Sequence, residues 1–509
     1  MNWKKIAKYF LIAWAILTIV IICWMKYGLI TMYGGHTTKV DHKQFDPYVG
    51  PVVINNVNIL ASDCKSFIAN QNVHIEKGII VSIDSLEENV GKIKVIDGKG
   101  KFLIPGLIDS HVHLFKSSND LLLYTANGVT QIREMIGEED HLNWRQEIGA
   151  GRIGPEMFIA SPRIGSFGTL EGWFMSWSQG YLNITNGHEA EKAVQELSKE
   201  GYDAVKIYSQ INKEAYSAVC KTAKELDMKI VGHVPWTLTL EDIYESGQTE
   251  IAHFEELMNA LRREFGSLEG ERGKEFLAYV EERSTTIATS LIASDIGVTS
   301  TLWLTESFMD QNFDLENLLQ DLALEYENPG ISEWVSYVPN GIGWLPEVNR
   351  FQLPNDLNKE EREGRKEFWT IYGRACRVLA IRLSQNGVKI MAGTDANLPP
   401  TVPGFSLHDE LEALLRSGMS TAQVLQSATS TPATWLESNA GAIEMGRKAN
   451  LVLLDKNPLE EIRNTRSINS VFANGKLFDR ALLDKILKSV AAANDKSRNR
   501  DISEFLVND

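Results

Sequence analysis

From residue 52 to residue 102 the apolar positions come in short runs, Val52-Val-Ile54, Val57-Asn-Ile-Leu60, Val73-His-Ile75, Ile79-Ile-Val-Ser-Ile83 and Val95-Ile96, interrupted by Asn, Gly and Lys. Runs this short with turn residues between them predict strands, and therefore a small β module. The same texture returns in Asn450-Leu-Val-Leu-Leu-Asp455 and Ile468-Asn-Ser-Val-Phe-Ala-Asn-Gly-Lys476, so both flanks are expected to build one domain.

Between the flanks the pattern changes. Short apolar runs alternate with longer stretches of helical period, as repeated βα units on a parallel sheet require. Strands are expected at 107–113, 129–133, 156–161, 204–208, 229–234, 250–254, 286–292 and 388–394, and helices at 189–199, 213–226, 241–246, 256–263, 368–385 and 407–417. Eight such strands point to a closed (β/α)8 TIM barrel, with the flanks as a small β-sandwich beside it.

The strongest apolar run lies elsewhere. Residues 9–25 carry no charge and follow Lys4, Lys5 and Lys8. That length is near the lower limit for crossing a bilayer. A cleaved leader is the competing reading, but no small-x-small site follows, which favours an uncleaved single-pass anchor. The lysine bias places the start of the chain in the cytoplasm and the rest on the periplasmic or extracellular side. The expected organisation is a cytoplasmic stub and anchor at 1–30, a tether at 31–48, the first part of the sandwich at 49–104 and the barrel at 105–437 with a long insert at 294–367. The second part of the sandwich follows at 438–480, and a charged tail at 481–509 is expected as a solvated helix followed by disorder.

Composition narrows the partners. With 509 residues and 43 % hydrophobic content, the chain can bury a large core. A net charge of −16 disfavours nucleic acid, which calls for clustered Lys and Arg. Cys23, Cys64, Cys220 and Cys376 have no Cys-x-x-Cys spacing, so neither a zinc knuckle nor a disulfide framework is expected. A small-molecule substrate fits best, and self-association is compatible with the sequence.

The candidate chemistry lies at the carboxyl ends of the expected strands, where barrels place reacting groups. His111 and His113 are two positions apart and share a face. Lys206 falls on strand four, His233 on five, His253 on six and Asp395 after eight. Singly, each has an ordinary explanation as a core histidine, a snorkelling lysine or a turn aspartate. Together they form a set of metal-ligand types.

In that order the residues resemble the amidohydrolase superfamily, through Pro105-Gly-Leu-Ile-Asp-Ser-His-Val-His113, Gly128-Val-Thr-Gln-Ile-Arg-Glu134, Gly201-Tyr-Asp-Ala-Val-Lys-Ile207, Gly232-His-Val-Pro235, Ala252-His253 and Gly393-Thr-Asp395. The resemblance covers most of residues 50–480. It implies a metal-dependent hydrolase of carbon–nitrogen bonds, on the prolidase-like or imidazolonepropionase-like branch. A lysine on strand four resembles the two-metal members. This implies two divalent ions, zinc above all, bridged by a carbamate on Lys206. His111, His113 and Asp395 would hold the more buried ion, and His233 with His253 the more exposed one. A bridging hydroxide would attack the amide, with Asp395 as general base and Tyr208 donating to the oxyanion. Implied substrates are Xaa-Pro dipeptides or N-acyl amino acids.

Tyr208 is equally readable as an amphipathic core residue. Arg163 is either a clamp for a substrate carboxylate or an ordinary ion-paired arginine. Trp173, Phe174 and Trp177 in one loop and Trp303, Trp334, Tyr337 and Trp344 in another are expected to form an aromatic lid or to bury the insert. His408 is expected to be structural. Two other readings stay open: hydrolysis of a ring amide, imidate, ester or lactone, and a tethered binding protein without catalysis.

Overall fold

The two flanks meet edge to edge. Leu451–Leu454 runs antiparallel to Phe102–Pro105, pairing Leu451 with Pro105 and Leu454 with Phe102. On one side the sheet continues through Ile468–Ala473 to Lys476–Asp479, and on the other through Val52–Leu60 and Phe67–Glu76 to Ile79–Asp84, with Lys94–Asp97 beside Val52–Leu60. One hydrogen-bonded sheet of eight strands is thus assembled from opposite ends of the chain, as the alternating runs in both flanks predict. The computed structural model describes residues 3–84, 93–266, 272–334, 342–354 and 356–506.

Phe102–Pro105 leads through Gly106 directly into the first barrel strand, Leu107–Val112. A Cβ at Gly106 would lie 2.2 Å from Thr130 Oγ1, so only glycine lets the chain pass there. The barrel continues through Val129–Glu134, Glu156–Gly165, Ala204–Ile207, Lys229–Gly232, Glu250–Ile251, Gly297–Thr299 and Ile390–Met391, each parallel to the one before. The ring is closed where Ser110 N donates to Ala392 O at 2.9 Å and Asp395 N to His111 O at 2.8 Å. Strand side chains such as Ile108, Ile132, Val205, Ile207 and Val298 are buried, because helices cover the outside of the sheet.

The seventh strand is not where the residue pattern places it. Residues 286–292 lie in a helix, Gly273–Ala293, and the strand is the three-residue segment Gly297–Thr299. The run Thr285-Thr-Ile-Ala-Thr-Ser-Leu-Ile292 is rich in β-branched residues, but Val280, Ser284, Ile287, Ala288 and Leu291 recur at helical spacing and are buried on one face. The insert that follows is helical, with Leu302–Phe313 and Leu315–Gln320. The helix expected at 368–385 begins earlier and spans Lys359–Gln385, capped by Asn358 accepting from Glu361 N.

The tail also differs from expectation. Leu483, Ile486 and Val490 bury one face of Arg480–Asp495, and beyond it Arg498 pairs with Glu333 at 3.2 Å while Ile502 and Phe505 enter a satellite core with Leu315, Leu319 and Trp344. Its charges line the outer face; the apolar residues between them pack it down.

Among the described residues one helix, Trp3–Met32, is long and apolar enough to cross a bilayer, and its most apolar window buries nothing. Its end is anchored differently. Lys116 N donates to Tyr33 O at 2.9 Å, and Val40 N donates to Asn119 Oδ1 at 2.9 Å. Asn328 Nδ2 reaches both Gly34 O and Ser117 Oγ. Residues 33–40 are therefore bonded to the loop after the first barrel strand and to the insert.

Candidate metal centre

The carboxyl ends of the strands bring six side chains together. Asp395 Oδ1 lies 2.7 Å from His113 Nε2 and 3.4 Å from His111 Nε2. The ring of His111 is 4.3 Å from that of His253, and the ring of His253 is 5.4 Å from that of His233. Single donor atoms of His111, His253 and Asp395 all fall within 4.8 Å of one another. Lys206, from the fourth strand, is 1 % exposed.

The backbone is bent to present these groups. Gly232 has φ +126°, and a Cβ there would lie 2.1 Å from Ile207 O, so the chain turns His233 inward only because residue 232 has no side chain. His253, Asp395 and Asn397 hold positive φ of 68°, 60° and 72°. Non-glycine residues in this region store strain, which gathers at functional sites.

The polar partners orient the rings. Glu256 Oε1 is 3.1 Å and Ser209 Oγ 2.8 Å from His233 Nδ1, while Thr301 Oγ1 is 2.9 Å from His253 Nδ1. With Nδ1 occupied, each ring turns its Nε2 to the centre. Glu134 sits 3.9 Å from His113 Nδ1 and accepts from Leu114 N and Ile136 N. Asp109 ties the first strand to the last, accepting from Thr394 Oγ1 at 2.7 Å and Thr394 N at 3.1 Å. Residue types alone give no role to Glu134, Glu256 or Thr301; Glu134 closes the run Gly128–Glu134, and the others meet His233 and His253 only in three dimensions.

The electrostatics are those of a crowded, dry centre. Burial lowers His253 to about 3 and pushes His111 well below the ordinary imidazole range, with Lys206 adding to the effect on His111. Burial lowers Lys206 to about 8 against the opposing charges of Glu250 and Asp395. Although burial raises Asp395, His253, His113 and Lys206 hold it below the usual carboxylate range. Among the described residues, Lys206 Nζ, both ring nitrogens of His111 and Nδ1 of His113 are buried without a hydrogen-bond partner. Buried donors and acceptors are normally paired, and these lie within one cluster around Asp395. The donor set fits a divalent cation.

Tyr208 packs its ring 4.2 Å from His233, which places it at the centre. Arg163 is buried beside it, its guanidinium 4.5 Å from the Tyr181 ring and 5.7 Å from that of Tyr208, with Nη2 donating to Gln179 O. Trp173 and Phe174 lie exposed on the helix Thr169–Gln179 with Trp177 beside them, whereas Trp344 is buried in the insert core, with Trp303 and Trp334 against that core. Tyr337 lies outside the described residues. His408 is structural, its ring nitrogens at 2.8 Å from Thr465 Oγ1 and 3.2 Å from Asn127 O.

Residues 371–478, which include Asp395 and the returning sheet strands, match the Amidohydrolase family model. Over that stretch the chain is similar to the amidohydrolase family. Among curated relatives, it is 49 % identical over 65 residues to the dihydroorotase of Carboxydothermus hydrogenoformans, 13 % of this chain and 14 % of that one. To the adenine deaminase of Clostridium perfringens it is 40 % identical over 67 residues, 13 % of this chain and 12 % of that one. The matched stretch thus spans a small part of these relatives. Solved structures share the amidohydrolase fold at greater length. A Xaa-Pro dipeptidase with bound methionine superposes at TM-score 0.59 and 18 % identity, over 84 % of this chain and 100 % of that one. A bottromycin amidohydrolase superposes at TM-score 0.64 and 18 % identity, over 87 % and 90 %.

Proposed function

We propose that this protein is a membrane-anchored, metal-dependent hydrolase that cleaves carbon–nitrogen bonds of small amides, such as Xaa-Pro dipeptides or N-acyl amino acids. What supports the reading is the clustering of His111, His253 and Asp395 donor atoms at the barrel mouth, with His113, His233 and the buried Lys206 beside them. Such a donor set suits two ions of zinc type, with His111, His113 and Asp395 around one and His233 with His253 around the other. Lys206 would help to hold them as a carbamate, for which an amine lowered to about 8 is well prepared, since only the neutral form adds to carbon dioxide.

When bound, the ions supply Lewis acidity at the scissile carbonyl and a water acidified toward neutral pH. The chain does the rest. Glu256, Ser209 and Thr301 fix the imidazoles in register. Asp395, kept anionic by its neighbours, accepts the proton of the attacking water and returns it to the leaving nitrogen. Tyr208, against His233, donates to the oxygen that gains charge. Arg163 beside Tyr208 holds a substrate carboxylate through the guanidinium nitrogens not engaged by Gln179 O. Trp3–Met32 would be the anchor, and the lysines that precede its uncharged run favour a barrel on the periplasmic or extracellular side.

The matches to adenine deaminase and to 5-methylthioadenosine/S-adenosylhomocysteine deaminase favour a second reading, attack on a ring substrate. Metal analysis of the full-length protein in detergent and a panel of dipeptides, N-acyl amino acids and ring amides separate them. Two ions per chain, a carbamate carbon resonance after labelling with 13C-bicarbonate and turnover of linear amides are expected. One ion with ring turnover favours the second reading; no metal and no turnover leaves a binding protein.

A further inference from the structure

The catalytic mouth and the bilayer-length helix are joined at close range. The uncharged run ends at Met25 and the helix continues to Met32, so at 1.5 Å per residue the mouth begins about 10 Å above the hydrocarbon edge. The headgroup layer on each side of a bilayer is itself about 6 Å deep. The link is rigid. Tyr33 packs tilted, 4.9 Å from Phe115, Phe115 stacks 5.8 Å from His113, and Met32 is buried in the insert core. The metal centre therefore cannot swing far from the surface in which the helix stands.

The exposed aromatic residues fall on the same end. Beyond residue 32, those among the described residues are Trp173, Phe174 and Trp236, at 66, 38 and 62 % exposure, joined by Leu170 at 86 %. Three lie on the helix after the third barrel strand, and Trp236 follows the fifth, so all are at the carboxyl, catalytic end. Tryptophan prefers the headgroup level of membranes, where an apolar ring and a polar N–H are both satisfied. At a net charge of −16 this face would be held by apolar contact and not by attraction to anionic lipid.

We propose that the catalytic face lies on the bilayer, with Leu170, Trp173, Phe174 and Trp236 in the headgroup layer, and that the site takes amphiphilic amides whose apolar tails stay in the membrane while the polar amide reaches the metal centre. The substrate part rests on the hydrolase reading above; the docking part does not.

The test uses full-length protein in phosphatidylcholine vesicles. Cys64, Cys220 and Cys376 are buried, so a nitroxide can be placed at Leu170→Cys, or for comparison at Met445→Cys near the sheet domain, in a Cys23→Ser background. The label at 170 is expected to collide several-fold more with oxygen than with a water-soluble nickel chelate, the label at 445 to do the reverse, and neither to respond to 0.5 M salt, which shrinks the Debye length to about 4 Å. Equal water exposure at both sites overturns the docking. In a second arm, Leu170→Glu with Trp236→Glu is expected to raise KM at least tenfold for a long-chain N-acyl amide held in vesicles and to leave a soluble short-chain analogue unchanged. Equal effects on both amides overturn the substrate class. Lipid shielding at 170 without hydrolysis of either amide keeps the docking and removes the hydrolase reading.

Discussion

Lys206→Met separates a metal-bridging lysine from a structural one, because the two roles predict opposite signs. In the metal-free protein burial lowers the ammonium from its ordinary 10.5 to about 8. At about 1.4 kcal/mol per pH unit, holding that charge inside costs the folded state about 3 kcal/mol. Methionine has nearly the same reach and no charge to desolvate, so Lys206→Met is expected to stabilise the metal-free protein at pH 7 by up to about 3 kcal/mol. The pH dependence has a definite sign. Below pH 8 the lysine is protonated in both folded and unfolded chains and the cost is complete. Between pH 8 and 10.5 the unfolded chain binds more protons, so the stability contributed at this site rises with pH, and in Lys206→Met that rise is absent. Chemical unfolding of chelator-treated protein in carbon-dioxide-free buffer from pH 7 to 10.5 measures both effects. Metal reverses the ranking, since added zinc is expected to stabilise the wild type and to do little for the variant. A metal-free variant less stable than wild type, or one that still binds two ions, would refute the role given to Lys206.

Asp395→Asn is expected to keep the fold but to lower kcat by 10²- to 10⁴-fold, the usual worth of a proton-transferring side chain; unchanged rates from pH 5 to 9 would move that role elsewhere. Glu256→Gln and Thr301→Val leave the ligand set intact and loosen His233 and His253, so each is expected to weaken metal affinity 10- to 100-fold in competition with a chelator. Arg163→Lys is expected to raise KM for N-acyl amino acids and to spare the matching amides without a carboxylate; equal losses on both would make Arg163 a packing residue. The Arg133–Glu250 pair, fully buried at 3.3 Å, lies close enough to Lys206 to act on its charge: Glu250→Ala is expected to destabilise by about 3–5 kcal/mol by leaving a buried cation unpaired, measured by chemical unfolding.

The side chains that gather at the barrel mouth were legible because their residue types are rare in apolar strands and fall at strand ends. His111-Val-His113 needs only strand periodicity to share a face, and Gly232 and Gly393 mark where the backbone must pass close to Ile207 and His111. The seventh strand was not legible. Gly297–Thr299 is too short to show a period, and the β-branched run before it is overridden by helical burial against its neighbours. Glu256 and Thr301 were hidden for another reason: an acid in the first turn of a helix and a threonine after a short strand have ordinary explanations, and only the folded chain brings them to His233 and His253. The tail read as solvated because its charges outnumber Leu483, Ile486, Val490, Ile502 and Phe505, which nonetheless bury it.

The bonding of residues 33–40 decides where this protein can be shortened. A soluble version starting at residue 49 would strip Tyr33 from Phe115 and leave Asn119 and Asn328 without the backbone groups they hold. A cut just before Tyr27 keeps those contacts and discards the uncharged run with the lysines on either side of it, so the two versions should behave as a damaged and an intact protein despite differing by 22 residues.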